Sequence, residues 1–353
     1  MNTLAQLLRQ HHTALIQQFA SKLHTEQYRA MSAILRCHTP ECGFIQHHCS
    51  SCDFIRERCR SCGHRSCPEC QFGAQQQWLL RQQQKQLPVT YYMVTFTLPA
   101  EWRGFAFTHQ AFTYNLLFEC AVATLREFAL NDPKLGNHLG MTGVLHTHSR
   151  QLDYHPHVHF VLPGGGYDDK HRSWLSKQDY LFNGKALAKA FRGKFITAMT
   201  EAGFSIPKGK KPWVVQAKAV GHGEKALQYL SHYLYRGVIT DRNILKTDAQ
   251  SVTFQYRDSR TKKKTKKTLP VLNFLWNVLQ HVLPKGFRRV RDYGFLHGNA
   301  KARIAQVRKA LKSEPPTIKV SEKHKPCCPE CGHTMNFFKV IYHSPQRLSQ
   351  STN

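Results

Sequence analysis

Leu4, Leu7 and Leu8, and then Ile16, Phe19 and Leu23, fall at helical spacing, so residues 1–35 predict one or two amphipathic helices. The polar, glutamine-rich run from Gln71 to Gln86 predicts a connecting helix carrying Arg81 and Lys85. Tyr91-Tyr92-Met93-Val94-Thr95-Phe96-Thr97-Leu98-Pro99 is aromatic and β-branched and stops at proline, the signature of a strand. A helical run at about 108–130 precedes a strand at about 141–147 and a second at 157–162, which ends in Pro163-Gly164-Gly165-Gly166. A helix at about 184–202, a strand from Trp213 to Ala219 and a helix beginning near Gly223 follow. Then come a strand from Ser251 to Tyr256, a cationic turn and a helix at about 270–283. Strands interspersed with helices predict an α+β fold, with an antiparallel sheet flanked by helices and a small cysteine-rich domain in front.

The expected division is 1–86 for the N-terminal helices and cysteine module, 87–298 for the main domain, and 299–353 for a basic tail. The polar end of that tail is expected to be disordered.

Charge narrows the partners. The chain has 50 Lys+Arg against 22 Asp+Glu, a net +28, which calls for a polyanion, and nucleic acid leads. No run of some 18 apolar residues occurs, and Met1-Asn2-Thr3-Leu4-Ala5-Gln6 lacks a charged-then-apolar signal pattern, so a soluble intracellular protein without membrane association is expected. Twelve cysteines in such a chain point to metal rather than disulfides. Cys120, alone in an apolar run, reads as a buried structural thiol.

Cys49-x2-Cys52, Cys59-x2-Cys62 and Cys67-x2-Cys70 are knuckle pairs, with Cys37 and Cys42 upstream. Thiolate pairs at this spacing fit tetrahedral Zn2+. Two sites are expected: Cys49, Cys52, Cys67 and Cys70 in one, and Cys37, Cys42, Cys59 and Cys62 in the other, with His38 or His64 as substitutes. Arg56, Arg58, Arg60 and Arg65 between the ligands suggest a DNA-facing surface. Cys327-Cys328-Pro329-Glu330-Cys331-Gly332-His333 resembles half a zinc ribbon, with His324 or His333 available to it.

His157 and His159 flank Val158 on the strand predicted at 157–162, so both imidazoles project from one side and can chelate a cation. The preceding strand carries His146 and His148 on one face, with Leu145 and Thr147 on the other. A hairpin could bring either histidine to the ion, and His146, deeper in the apolar run, is favoured. Hydrolases also use His-x-His, but Asp168 and Asp169 lie beyond the glycine turn, which weakens that reading. Tyr229 and Tyr233 stand four apart on the helix that begins near Gly223, one turn apart on one face, while Leu227, Leu230 and Leu234 supply the core stripe. A divalent ion, Mg2+ or Mn2+, beside a tyrosine pair suits nicking and rejoining of single-stranded DNA through phosphotyrosine.

HPHVHFVLPGGG, the YLSHYLYR helix, the module ending SCGHRSCPECQ, and HVLPKGFRRVRDYGFL occur in one order across about residues 30–298. Together they resemble the two-tyrosine HUH transposases of the insertion-sequence 91 family. The resemblance implies a HUH endonuclease-type sheet behind a zinc-binding domain. It implies His157 and His159 as metal ligands, Tyr229 and Tyr233 as nucleophiles, and rolling-circle-like DNA transposition. It also implies a bacterial cytoplasmic protein, nucleoid-associated when bound to single-stranded element ends and target. The cysteine module departs from the family's usual pattern, in which a histidine directly precedes the penultimate cysteine. Ser66 holds that place here, and His64 lies two residues earlier.

Two stretches are candidate DNA contacts. Lys262, Lys263, Lys264, Lys266 and Lys267 read as a phosphate-binding loop. Arg288, Arg289 and Arg291 are interleaved with Phe287, Tyr293 and Phe295, which suits single strands whose bases stack on aromatics. No Gly-x4-Gly-Lys-Ser/Thr loop is present, so strand separation would fall to host replication or helicase proteins. The competing readings are a replication initiator or relaxase on the same core, and a zinc-finger regulator without chemistry.

Overall fold

In the computed structural model of the chain, the described residues are 3–177, 181–209, 211–235, 238–258, 261–318 and 325–342, excepting the side chains of His232, Tyr233 and Tyr235. The chain divides into two compact units: Met1–Gly73 with Lys319–Asn353, and Ala74–Ile318. The units therefore do not follow three consecutive segments, because a late stretch of chain pairs with an early strand.

In the first unit, α1 (Thr3–Phe19) and α2 (Thr25–Arg36) bury Leu4, Leu7, Leu8, Leu15 and Phe19 with Ala30, Met31 and Ile34. Leu15, rather than Ile16, takes the buried position. β1 (Phe44–His48) and β2 (Ile55–Cys59) form a hairpin, and β13 (Asn336–Ile341) adds to the other edge of β1, giving an antiparallel sheet in the order β13-β1-β2. The tail beyond residue 300 thus contains a paired strand. Residues 343–353, expected to be disordered, lie outside the described residues.

The second unit opens with α3 (Phe72–Gln83), β3 (Tyr91–Thr97), α4 (Arg103–Thr108) and α5 (Gln110–Leu130). β4 (Gly140–His148) and β5 (Tyr154–Pro163) form its central hairpin, followed by a short pair, β6 (Gly165–Asp168) and β7 (Ser173–Ser176). Next come α6 (Gly184–Glu201), capped by the Asn183 side chain, β8 (Val214–Ala219) and α7 (Glu224–Tyr235). β9 (Ile244–Thr247), β10 (Ser251–Arg257) and β11 (Lys264–Pro270) make a separate antiparallel sheet, and α8 (Val271–Leu279), β12 (Val290–Gly294) and α9 (Lys301–Ala310) complete the unit.

The main sheet is antiparallel throughout, in the order β12-β4-β5-β3-β8. Its central strands are covered on both faces, so β4 and β5 are nearly continuously buried instead of alternating. On one face Val94, Phe96, Val158, Phe160 and Leu162 pack against Leu117 and Phe118 of α5 and Phe191 and Phe195 of α6. Phe96 meets Phe160 and Phe191 edge-on, with centroids 6.0 and 4.9 Å apart. On the other face Tyr91, Val144 and Val161 pack against Trp78 of α3 and Ala226, Leu227, Leu230 and Leu234 of α7. Each of those buried leucines contributes roughly 1.5–3 kcal/mol to holding α7 on the sheet.

Gly223 sets the start of α7. Its carbonyl accepts the first helical hydrogen bond from Leu227, its φ is +85°, and a Cβ there would lie 2.8 Å from the Tyr91 ring. Only glycine meets both conditions without strain.

The expected cationic turn is shorter than the sequence suggested. It closes between Asp258 and Lys263, with Lys262 at φ +59°, and Lys264–Pro270 is a strand. Half-buried Thr265, Lys267 and Leu269 alternate with exposed Lys264, Lys266 and Thr268, and the Thr253 and Thr268 hydroxyls bond across the pair at 2.8 Å. That alternation suits a half-exposed pleated strand better than a loop.

Candidate metal centre and tyrosine site

Pairing of β4 with β5 sets His146 opposite His157 and Val144 opposite His159. On the other side of β5, Thr95 of β3 lies opposite His159. Opposed residues share a face, and so do alternate residues along a strand, so positions 95, 146, 157 and 159 project together. One donor nitrogen from each of His146, His157 and His159 falls within 4.8 Å of the others. His148 sits beyond a register shift, opposite Tyr154, with its ring 5.1 Å from that of His281. Of the two histidines that a hairpin could supply, the geometry joins His146 to the pair.

The rings are oriented from behind. His157 donates its Nδ1–H to the His155 carbonyl oxygen at 2.7 Å, which leaves the Nε2 lone pair. Thr95 Oγ1 engages His159 Nδ1 at 2.8 Å, so its Nε2 also remains for an ion. Such outer contacts fix tautomer and ring angle in metal sites. Burial, reinforced by the neighbouring imidazoles, holds His146 and His159 well below the usual histidine range, and burial pushes His157 down to about 4. All three are therefore neutral ligands near pH 7. Three neutral imidazole donors suit borderline divalent ions such as Zn2+ and accept Mn2+ more readily than Mg2+, which would need water or carboxylate to complete its shell.

α7 lies on this histidine-bearing face, since Val144 and Val161 share the parity of His146 and His159. Its leucines point to the sheet, while Tyr229 is 42% exposed. The Tyr229 ring stands 6.2 Å from that of His146 and 6.3 Å from that of His159. Partial burial raises its pKa and the Arg150 guanidinium opposes the rise, so at neutral pH it is a phenol. Tyr233 belongs to the same helix one turn later, but its side chain lies outside the described residues. These groups open onto a cavity of about 650 Å³, also lined by Arg150, Tyr256 and Arg257.

A family model described as "Putative transposase" matches residues 140–303, which include the three histidines and Tyr229. A second, described as "Transposase zinc-binding domain", matches residues 7–98. A Sinorhizobium fredii protein named "Putative transposase y4qJ" is 33% identical over 82% of this chain and 80% of its own length. The chain belongs to the insertion-sequence 91 family of transposases. The transposase for insertion sequence element IS801 from Pseudomonas savastanoi pv. phaseolicola is 28% identical over 71% of the chain and 65% of that protein. No solved structure matches the chain. Membership makes this a DNA-cutting and DNA-joining enzyme with a zinc-binding domain. No helix among the described residues is long and apolar enough to cross a membrane.

In this transposase the expected DNA-contacting cations fall into two groups. Lys262, Lys263, Lys264, Lys266 and Arg288 are exposed. Lys267 instead reaches the Gln151 carbonyl at 3.3 Å and Asp153 at 3.4 Å, tying the β10–β11 hairpin to the loop before β5. Arg289 donates to the carbonyls of Leu145 at 3.2 Å and Leu234 at 3.1 Å, and so bolts the end of α7 to β4. A cation there also faces the negative end of the helix dipole. Arg291 bonds Asn115 and stacks 4.4 Å from Phe118 and 5.2 Å from Phe287. Arg289 and Arg291 thus both have partners within the fold.

The cysteines group differently from the expected sets. Cys37, Cys62, Cys67 and Cys70 form one cluster, and Cys49, Cys52, Cys328 and Cys331 form another. Cys42 and Cys59 belong to neither; the Cys42 thiol donates to the Arg36 carbonyl at 3.2 Å. The reason is the hairpin. Cys49 and Cys52 occupy its turn, whereas Cys62, Cys67 and Cys70 lie beyond the far end of five-residue strands, some 13–17 Å away at about 3.3 Å per residue. His38 and His64 are engaged elsewhere, with the Cys59 carbonyl and the Ser66 N–H, and His324 lies outside the described residues. On the sheet, Arg56 and Arg58 share a face with His47 and Ile45, which face Phe337 and Val340 of β13.

Proposed function

We propose that this transposase cleaves single-stranded DNA by attack of Tyr229 on a phosphate held at the His146, His157 and His159 centre, in rolling-circle-like transposition. The observation that carries the reading is the half-exposed Tyr229 ring 6.2 and 6.3 Å from two of the three imidazoles, on a helix fixed to the same sheet. A divalent ion bound there, Mn2+ or Mg2+, would neutralise the non-bridging oxygens and stabilise the charge of an in-line displacement. Tyr229 Oη forms the new bond to phosphorus and loses its proton, while the 3′ oxygen departs and takes one up. The product is a 5′-phosphotyrosine and a free 3′-hydroxyl, so the phosphodiester energy is kept for rejoining. Arg150, beside Tyr229, favours the phenolate and offers charge to the DNA. Tyr233, four residues on, would take the second strand. Exposed Lys262, Lys263, Lys264, Lys266 and Arg288 would hold the backbone, and host replication or helicase proteins would supply the separated strand.

The test is nicking of an end-labelled single-stranded oligonucleotide carrying an element end, with Mn2+ or Mg2+. His157→Ala and His159→Ala should stop cleavage while the protein stays folded. Tyr229→Phe and Tyr233→Phe each leave one hydroxyl, but the double variant should form no covalent protein–DNA adduct. An adduct in the double variant, or full activity in both histidine variants, refutes the reading.

A further inference from the structure

We infer that Cys328 and Cys331 complete a second zinc site with Cys49 and Cys52, so that the zinc-binding unit is assembled from two distant stretches of chain. The partners are 282 residues apart for Cys49 and Cys331 and 276 for Cys52 and Cys328. The matched zinc-binding domain ends at residue 98, far before either late ligand.

The donor geometry fits. The Cys49–Cys331 and Cys52–Cys328 sulfurs lie 3.4 and 3.6 Å apart, and all four sulfurs fall within 4.8 Å of one another. A tetrahedral zinc with bonds of about 2.3 Å places its sulfurs about 3.8 Å apart. A disulfide would need about 2.0 Å.

The backbone supports it independently, because the two Cys-x2-Cys segments have the same fold. Cys49 N–H donates to the Phe54 carbonyl at 2.9 Å, and Asp53 N–H returns to the Cys49 carbonyl at 2.9 Å. Likewise, Cys328 N–H donates to the His333 carbonyl at 2.7 Å, and Gly332 N–H returns to the Cys328 carbonyl at 3.0 Å. The fourth residue after the first cysteine has positive φ in each, +56° at Asp53 and +76° at Gly332. Each segment then leads into a strand on an opposite edge of β1. Antiparallel pairing of Asn336 with His48 brings the late knuckle to the hairpin turn that holds the early one. Cys49, Cys328 and Met335 are buried together against Phe54. Cys327 forms a bridge with Thr334 and stays outside the cluster.

Natively purified full-length protein should contain two zinc ions, one for each four-cysteine group. C328S/C331S should contain one, and C327S should keep two. Iodoacetamide applied to the native wild-type protein should modify Cys327 at once. It should spare Cys49, Cys52, Cys328 and Cys331 until a chelator is added, as read by mass spectrometry. Two zinc ions in C328S/C331S would overturn the proposal. So would labelling of Cys328 as fast as Cys327 in the native protein, and that measurement decides the matter if the double variant fails to fold.

Discussion

Thr95→Val isolates the orienting contact behind the proposed metal centre. Valine keeps the branched shape that the strand favours and removes only the hydroxyl 2.8 Å from His159 Nδ1. His159 is 8% exposed, so its Nδ1–H loses a partner that water replaces poorly. An unsatisfied buried donor costs about 1–3 kcal/mol. The penalty divides between folding and ligation, because the ring regains freedom to turn Nε2 away from the ion. Loss of an outer hydrogen bond typically weakens metal binding about 10–100-fold, which at about 1.4 kcal/mol per tenfold is roughly 1.4–2.8 kcal/mol. Titration with Mn2+, followed both by calorimetry and by nicking rate, should move half-saturation upward by that factor, with activity recovered at saturating metal. The thermal midpoint should fall by only about 2–4 °C per kcal/mol of folding stability lost. Thr95→Ser, which keeps the hydroxyl, should bind Mn2+ nearly as the wild type does. Unchanged half-saturation in a folded Thr95→Val protein would refute the orienting contact.

Arg289→Met should lower folding stability by about 3 kcal/mol, since charged donors to carbonyls contribute about 1.5–3 kcal/mol each. It should also slow nicking while leaving Mn2+ binding intact, and urea unfolding with a metal titration checks both. Replacing exposed Lys264 and Lys266 with alanine should reduce the salt dependence of single-strand binding by about 0.7 per lysine, with no change in unfolding midpoint. Lys267→Ala should lower the midpoint instead, because Lys267 ties the hairpin to the loop before β5. Burial holds His155 and His157 at about 4 and His281 at about 3. The unfolded chain therefore takes up protons below pH 6.5 that the folded protein refuses, and stability should fall as pH drops from about 6.5 towards 4. A flat urea midpoint between pH 7.5 and 4.5 in metal-free protein would contradict this.

Period-two alternation placed His157 and His159 on one face but left His146 and His148 both open as the third histidine, and the spacing of α7 was enough to separate Leu227, Leu230 and Leu234 from Tyr229. Both patterns are local. The misread features depend on distance along the chain or on what a side chain meets. Cysteine spacing shows that ligands come in pairs, but which pairs meet depends on the length of the β1–β2 hairpin and on β13 arriving from far away. The signal was present in Cys328-Pro329-Glu330-Cys331, whose spacing matches Cys49–Cys52. Charge marked Arg289 and Arg291 as cations, but composition cannot tell a guanidinium facing DNA from one facing a helix end. Thr95 gave no sign of itself, because register between β3 and β5 is not written in either strand alone. Lysine density hid β11, whose half-buried face is Thr265, Lys267 and Leu269.

The distance between the two knuckles also has a consequence in time. Translation adds about 5–20 residues per second, so the 276 residues between Cys52 and Cys328 take roughly 14–55 s to follow the first knuckle out of the ribosome. Throughout that interval the proposed second zinc site has only Cys49 and Cys52, and β1 presents an open edge to its surroundings. The nascent chain can fold its tyrosine site before its zinc-binding unit is closed. A message cut short before codon 328 therefore yields a chain that keeps Tyr229 and the three histidines but lacks Cys328, Cys331 and β13.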